Sequence, residues 1–145
     1  MEELLELREH IEHGRYASAL VLIGEMEEMS RDDKINKIGS FLTILLLHLI
    51  KQHAEQRSTR SWDVSIRNSV RQIIFTNKRR KAGGYYLSNE ELRQAVEDWY
   101  AVALSHASLE AFEGRYAPEE LGSLVEESAI AEEALGLILE AQGLL

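Results

Sequence analysis

Guanidinium groups, hydroxyls and free backbone amides gathered at the start of a helix suit a phosphate or a carboxylate, and Arg57-Ser58-Thr59-Arg60-Ser61-Trp62 brings all three together. The positive charge continues downstream at Arg67, Arg71, Lys78, Arg79, Arg80 and Lys81. At helical spacing, Arg60, Arg67, Arg71 and Lys78 fall on one stripe beside an apolar stripe of Trp62, Ile66, Val70 and Ile73. From Arg57 to Lys81 those eight basic residues stand against one acid, Asp63, a surplus of about 7. The rest of the chain holds 8 basic and 24 acidic residues, a deficit of about 16, so the molecule is electrically polarised. The candidate anion- or partner-binding set is therefore Arg57, Arg60, Ser61, Arg67, Arg71, Lys78, Arg79, Arg80 and Lys81. A purely structural reading of the same residues is that Trp62 anchors the helix in the core while the arginines pair with the acidic second helix.

Other chemistry is thinly represented. Glu9 and His13 stand at i, i+4 in a group with His10 and Glu12, which makes half of a metal site. No Glu-x-x-His pair recurs on later helices to complete one, and neither a metal nor a cofactor is expected. Arg8 and His13 have the spacing of a short arginine–histidine pattern found in some helical ribonucleases. A metal-dependent hydrolase or nuclease is accordingly the last alternative, and the chain is not expected to be an enzyme. His48, inside an apolar run, and His106, following Trp99 and Ala103, read as core histidines with one hydrogen-bond partner each. Gly83-Gly84 lacks the strand that a phosphate loop or a nucleophile elbow requires. There is no cysteine, hence no thiolate chemistry and no disulfide, and the composition suits a reducing compartment.

The elements that must position these residues are helical. One proline in 145 residues and few aromatics favour helices over a β-sandwich. Leu4, Leu7 and Ile11 mark a first helix that stops at Gly14. Ala19, Leu22, Met26 and Met29 mark a second, from about Arg15 to Met29. Ser30, followed by Asp32 and Asp33, then predicts a fresh helix start. The third helix, about 31–53, carries Ile35, Ile38, Leu42, Leu45 and Leu49 and is apolar nearly all round from Phe41 to Ile50, so it is the expected centre of the core. Ser61 is placed to cap a helix from Trp62 to about Lys78. Ser88-Asn89-Glu90-Glu91 predicts a capping box for a helix from about Asn89 to Phe112, with Leu92, Val96, Trp99 and Ala103 inward. Pro118 opens a last region to Ala141, one helix or two broken near Gly122 or Ser128, with Ala131, Ala134, Leu135 and Ile138 inward. The expected fold is an all-α bundle of five to seven helices around residues 31–53, in a single domain over 1–145, with Trp62 and Trp99 as large core residues.

The run from Phe41 to Ile50 is only ten residues, against about 20 for a bilayer span, so no membrane insertion is expected. The acidic start, Met1-Glu2-Glu3, does not resemble a signal peptide, and a cytoplasmic location is expected.

Between Gly24 and Ile73 the chain resembles the bacterial family designated domain of unknown function 29. The resemblance rests, in order, on Glu25-Met26-Glu27-Glu28-Met29-Ser30, Leu45-Leu46-Leu47-His48-Leu49-Ile50-Lys51, Arg57-Ser58-Thr59-Arg60-Ser61-Trp62 and Ser65-Ile66-Arg67. It implies an all-helical cytoplasmic protein and brings no catalytic residues. The leading functional expectation is a non-enzymatic interaction module whose basic strip, 57–81, binds an acidic protein surface or another copy of the chain as a homo-oligomer. The alternative is nucleic-acid binding by the same strip, with Tyr85 and Tyr86 near Lys78–Lys81 for stacking.

Overall fold

The structure is a computed structural model that describes residues 2–79 and 83–143. Arg80 and Lys81 of the basic strip therefore lie outside the described residues. The elements are α1 (Glu2–Glu12), α2 (Tyr16–Glu55), α3 (Arg60–Asn77), α4 (Asn89–Glu110), a 3-10 turn (Ala111–Gly114), α5 (Pro118–Gly122) and α6 (Glu127–Ala141). The all-α expectation holds. Among the described residues the one β feature is an isolated antiparallel bridge between Lys78 and Tyr85 in the α3–α4 loop.

The chain divides into two compact units, Met1–Ile35 and Asn36–Leu145. In the first, α1 ends as its sequence requires. Gly14 takes φ +74, Gly14 N donates to Ile11 O at 3.2 Å, and Arg15 N donates to His10 O at 2.8 Å, which together make a Schellman turn. No residue of α1 is buried. Leu4, Leu5 and Ile11 are exposed, as are Tyr16, Leu20 and Val21 at the start of α2.

The expected break at Ser30 is absent, because α2 continues from Tyr16 to Glu55. The correction has a simple cause. Serine costs only a few tenths of a kcal/mol inside a helix, and the flanking Glu25–Met29 and Lys34–Ile38 segments are good helix formers with no proline between them. Asp32 and Asp33 are solvated residues on the outer face rather than a first turn.

In the second unit the core forms as expected around α2 from Ile38 onward. Ile38, Leu42, Leu45, Leu46 and Ile50 have no accessible surface, and Ile73, Leu92, Leu121, Ile130 and Ile138 are equally buried on α3, α4, α5 and α6. Ser88 Oγ accepts from Glu91 N at 3.2 Å while Ser88 N donates to Glu91 Oε1 at 3.1 Å, the expected capping box of α4. The last region is two helices, separated after Gly122. Two aromatic and histidine assignments need correction. Trp99 is only half-buried, and Tyr100 next to it is the buried ring of α4. His106 is exposed rather than a core residue, since it lies at the margin of the stripe that buries Ala103 and Ala107.

Trp99 still decides one position of α2. A Cβ added to Gly39 would fall within the Trp99 indole, so the buried glycine is there for close approach of the ring. Gly39→Ala gains roughly 1 kcal/mol of helix propensity and should nevertheless destabilise the protein by about 1–3 kcal/mol in denaturant titration. The same change in a Trp99→Leu background should be neutral or favourable. A Gly39→Ala protein more stable than wild type would refute this packing.

Tyr100 generates a second expectation. Among the described residues its buried hydroxyl has no hydrogen-bond partner, and burial, with help from the Glu127 carboxylate, pushes the phenol from 10.0 up to about 12. The fold favours the protonated form, so this contribution is complete below pH 10 and is lost between about 10 and 12, where the unfolded chain has already released the proton. Stability should fall over that window by up to about 2 kcal/mol, and Tyr100→Phe should remove that fall while leaving neutral-pH stability equal or higher.

Candidate functional site

Local structure separates the basic strip into two parts. The first is a junction where α2 ends and α3 begins. Thr59 caps α3, its Oγ1 accepting from Trp62 N at 3.1 Å, so the helix starts at Arg60 and Ser61 sits in its first turn rather than at its cap. Ser58 Oγ donates to Asp63 Oδ1 at 2.6 Å, and Gln52 Nε2 reaches both Ser58 Oγ (2.7 Å) and Asp63 Oδ1 (3.2 Å). Trp62 is buried, with Lys51 Nζ 4.6 Å and Arg57 Cζ 4.7 Å from its ring centroid. Lys51 is 5% exposed, and its ammonium is met by Glu110 Oε1 of α4 at 2.8 Å. Arg57 Nε donates to Glu55 Oε1 at 3.0 Å, and the other oxygen of Glu55 accepts from Phe112 N at 3.2 Å. Phe112 and Glu113 hold φ of 51° and 59°, a left-handed pair that this carboxylate helps to fix. Arg57 thus belongs to the scaffold, as the structural reading of the motif anticipated for Trp62.

The second part is the outer face of α3. Arg60, Arg67 and Arg71 are exposed, and among the described residues none of the three has an ion-pair partner. The same face carries Val64, 39% exposed, and Phe75, 59% exposed. Neither was singled out from the sequence, where the available signal was a large apolar residue between Arg60 and Arg67 and another between Arg71 and Lys78 on one stripe. Lys78 follows at the end of the helix, where its N–H donates to Ile74 O at 3.1 Å. Arg79 continues into the loop, its Cζ 5.8 Å from the Tyr86 ring, with Tyr85 exposed alongside.

The arginine stripe borders a groove that the sequence did not reveal. Between α3 and α6, Ile66, Val70, Leu137 and Ala141 line a depression of about 440 Å³, with Arg67 and Arg71 from α3 and Glu140 from α6 at its edges. Its α6 half was invisible to the strip-by-strip reading because Leu137 and Glu140 join Arg67 only through the tertiary fold. The floor removes apolar surface from water, and the guanidinium groups offer paired donors to carboxylates.

The remaining sequence candidates do not assemble into a centre. His13 Nδ1 lies 2.9 Å from Glu9 O, His10 Nδ1 accepts from Arg15 Nε at 2.9 Å, and His48 Nδ1 is 2.8 Å from Ile44 O. Among the described residues no group of three or more histidine, aspartate or glutamate side chains is placed to share a metal ion.

The Lys51–Glu110 pair holds the junction, which a pair of substitutions can test. Glu110→Gln leaves a buried ammonium without its carboxylate and should cost about 1–3 kcal/mol in chemical denaturation. Adding Lys51→Met should recover most of the loss, because an apolar chain of similar length keeps its packing on Trp62 without needing a counter-charge. A silent Glu110→Gln would show that the pair contributes nothing.

No curated protein and no solved structure matches the chain. A family model described as "Domain of unknown function DUF29" matches residues 18–128, from the first turn of α2 into the first turn of α6, and so extends well beyond the Gly24–Ile73 segment that carries the motifs. With most of its length inside that match, junction and arginine face included, the chain belongs to the DUF29 family.

Proposed function

We propose that the chain is a cytoplasmic, non-enzymatic interaction module that holds an acidic protein surface on the arginine face of α3. The observation that carries this reading is the set of exposed arginines, Arg60, Arg67 and Arg71, with no ion-pair partner among the described residues and an apolar groove beside them. Positive charge steers an acidic partner and fixes its register, and burial of the apolar floor supplies affinity. Arginine and aromatic residues are also the types that dominate interface energetics, which suits Arg67, Arg71 and Phe75. The absence of cysteine agrees with the reducing cytoplasm. Among the described residues no helix is long and apolar enough to cross a membrane.

A second reading, nucleic-acid binding, has its support in Arg79, Tyr85 and Tyr86 at the end of the strip. The groove favours protein, because its apolar floor and Glu140 offer nothing to a phosphate backbone.

The two are separated by fluorescence anisotropy with a labelled amphipathic peptide, leucines at i, i+3 and i+7 flanked by glutamates, and with a mixed-sequence oligonucleotide. The peptide should bind and weaken as salt rises from about 0.05 to 0.5 M, and Arg67→Glu/Arg71→Glu should reduce its affinity at least about tenfold. A double variant that binds the peptide as wild type does would refute the reading. Preference for the oligonucleotide, with affinity falling steeply on a logarithmic salt scale, would transfer the strip to nucleic acid.

A further inference from the structure

Among the described residues two apolar faces are left uncovered and carry opposite charge, and we infer that they meet between copies: α1 of one protomer lies in the α3–α6 groove of another. This rests on the docking reading above and names the occupant.

The first face is α1. Leu4, Leu7 and Ile11 stand at i, i+3 and i+7, which places them on one side of the helix. Leu4 is 43% and Ile11 49% exposed, and α1 buries none of its residues. Its charge is strongly negative, with Glu2, Glu3, Glu6, Glu9 and Glu12 against Arg8. On the helical wheel Glu3 and Glu12 flank the apolar stripe from opposite sides, and Arg8, paired with Glu12 at 2.8 Å, lies beside it.

The second face is the groove, whose apolar floor of Ile66, Val70, Leu137 and Ala141 accepts one helix stripe. Its edges carry Arg67 and Arg71 on α3 and Glu140 on α6. The match is of both kinds. An acidic helix with one cation meets a basic edge with one acid, and apolar side chains meet an apolar floor, the mode in which a groove reads helix anchors at i, i+3 and i+7.

Charge selects this pairing over α1 against α1, where two strongly acidic helices would repel. Because the patches differ, the contact is heterologous and either closes a ring of copies or propagates. It is small and charge-dependent, so association is weak and falls with salt.

The test is sedimentation equilibrium of the full chain over a concentration series, from about 5 µM to about 0.5 mM, at low and high salt. At low salt the mass should rise above 16.5 kDa with concentration and return to it at high salt. Leu4→Asp/Ile11→Asp and Arg67→Glu/Arg71→Glu alter exposed residues, so both proteins should keep wild-type circular dichroism and remain monomeric throughout. Combining Arg67→Glu/Arg71→Glu with Glu3→Lys/Glu12→Lys reverses the charge on both sides and should restore association. A wild-type chain that stays at 16.5 kDa at every concentration, or a charge-swapped chain that stays monomeric while wild type associates, overturns the inference. If the wild-type chain is monomeric yet binds the acidic peptide through Arg67 and Arg71, the occupant is wrong and the docking reading stands. If peptide binding is also insensitive to those arginines, both fall.

Discussion

The buried ammonium of Lys51 constrains much of what surrounds it. Burying an ammonium to 5% exposure is costly unless it is paired, and here the partners are Glu110 from α4 and the Trp62 ring from α3. The constraint spreads along the last two turns of α2, where each side chain reaches a different element. Gln52 bonds Asp63 at the start of α3, His53 meets Glu133 of α6 at 2.6 Å, and Glu55 bonds the backbone of Phe112 after α4. The apolar residues one turn earlier, Leu45 to Ile50, make the core, but apolar packing alone is indifferent to small rotations of its helices. The polar ring at the end of α2 fixes which side of α3 turns outward, and hence where Arg60, Arg67 and Arg71 point.

The fold was legible wherever one face of a helix meets the core. The Ile38–Leu49 stripe, the Trp62–Ile73 stripe and the capping box at Ser88 all stand where periodicity and capping chemistry put them. Failures occurred where a local signal was permitted but not enforced. Ser30 followed by two aspartates is a good helix start, yet it is also an acceptable helix interior, and α2 runs through it because nothing there breaks the backbone. Trp99 and His106 were misplaced for a related reason. Each lies at the margin of the α4 stripe, where a one-position rotation of the helix exchanges a buried residue for a half-exposed one, as it does for Trp99 and Tyr100.

The candidate site was legible as a charge distribution and only partly as a geometry. Counting located the strip and its polarity, but counting weights Arg57 and Arg67 equally, and the structure does not. Arg57 is held by Glu55 and the Trp62 ring, whereas Arg67 faces solvent beside the groove. The groove itself needs α6, which lies far from α3 in sequence, so no window of the chain contains it. What sequence could have supplied was the anomaly of Val64 and Phe75, apolar residues on the polar face of an amphipathic helix.

The division of labour within Arg57-Ser58-Thr59-Arg60-Ser61-Trp62 follows from these energetics. A guanidinium held at Nε by a scaffold carboxylate and stacked on an indole is fixed in place at the junction, while one on the next turn costs little to leave solvated. The motif therefore serves the fold through Arg57, Thr59 and Trp62 and also fixes the register of the arginine face, since capping at Thr59 determines where Arg60 and every later arginine of α3 must lie. Stability and the placement of the arginine face are coupled here through helix phase. Loss of the cap or of Trp62 would turn or loosen the arginine stripe without touching an arginine, so under the proposed docking role a weakened junction would lower affinity as well as stability.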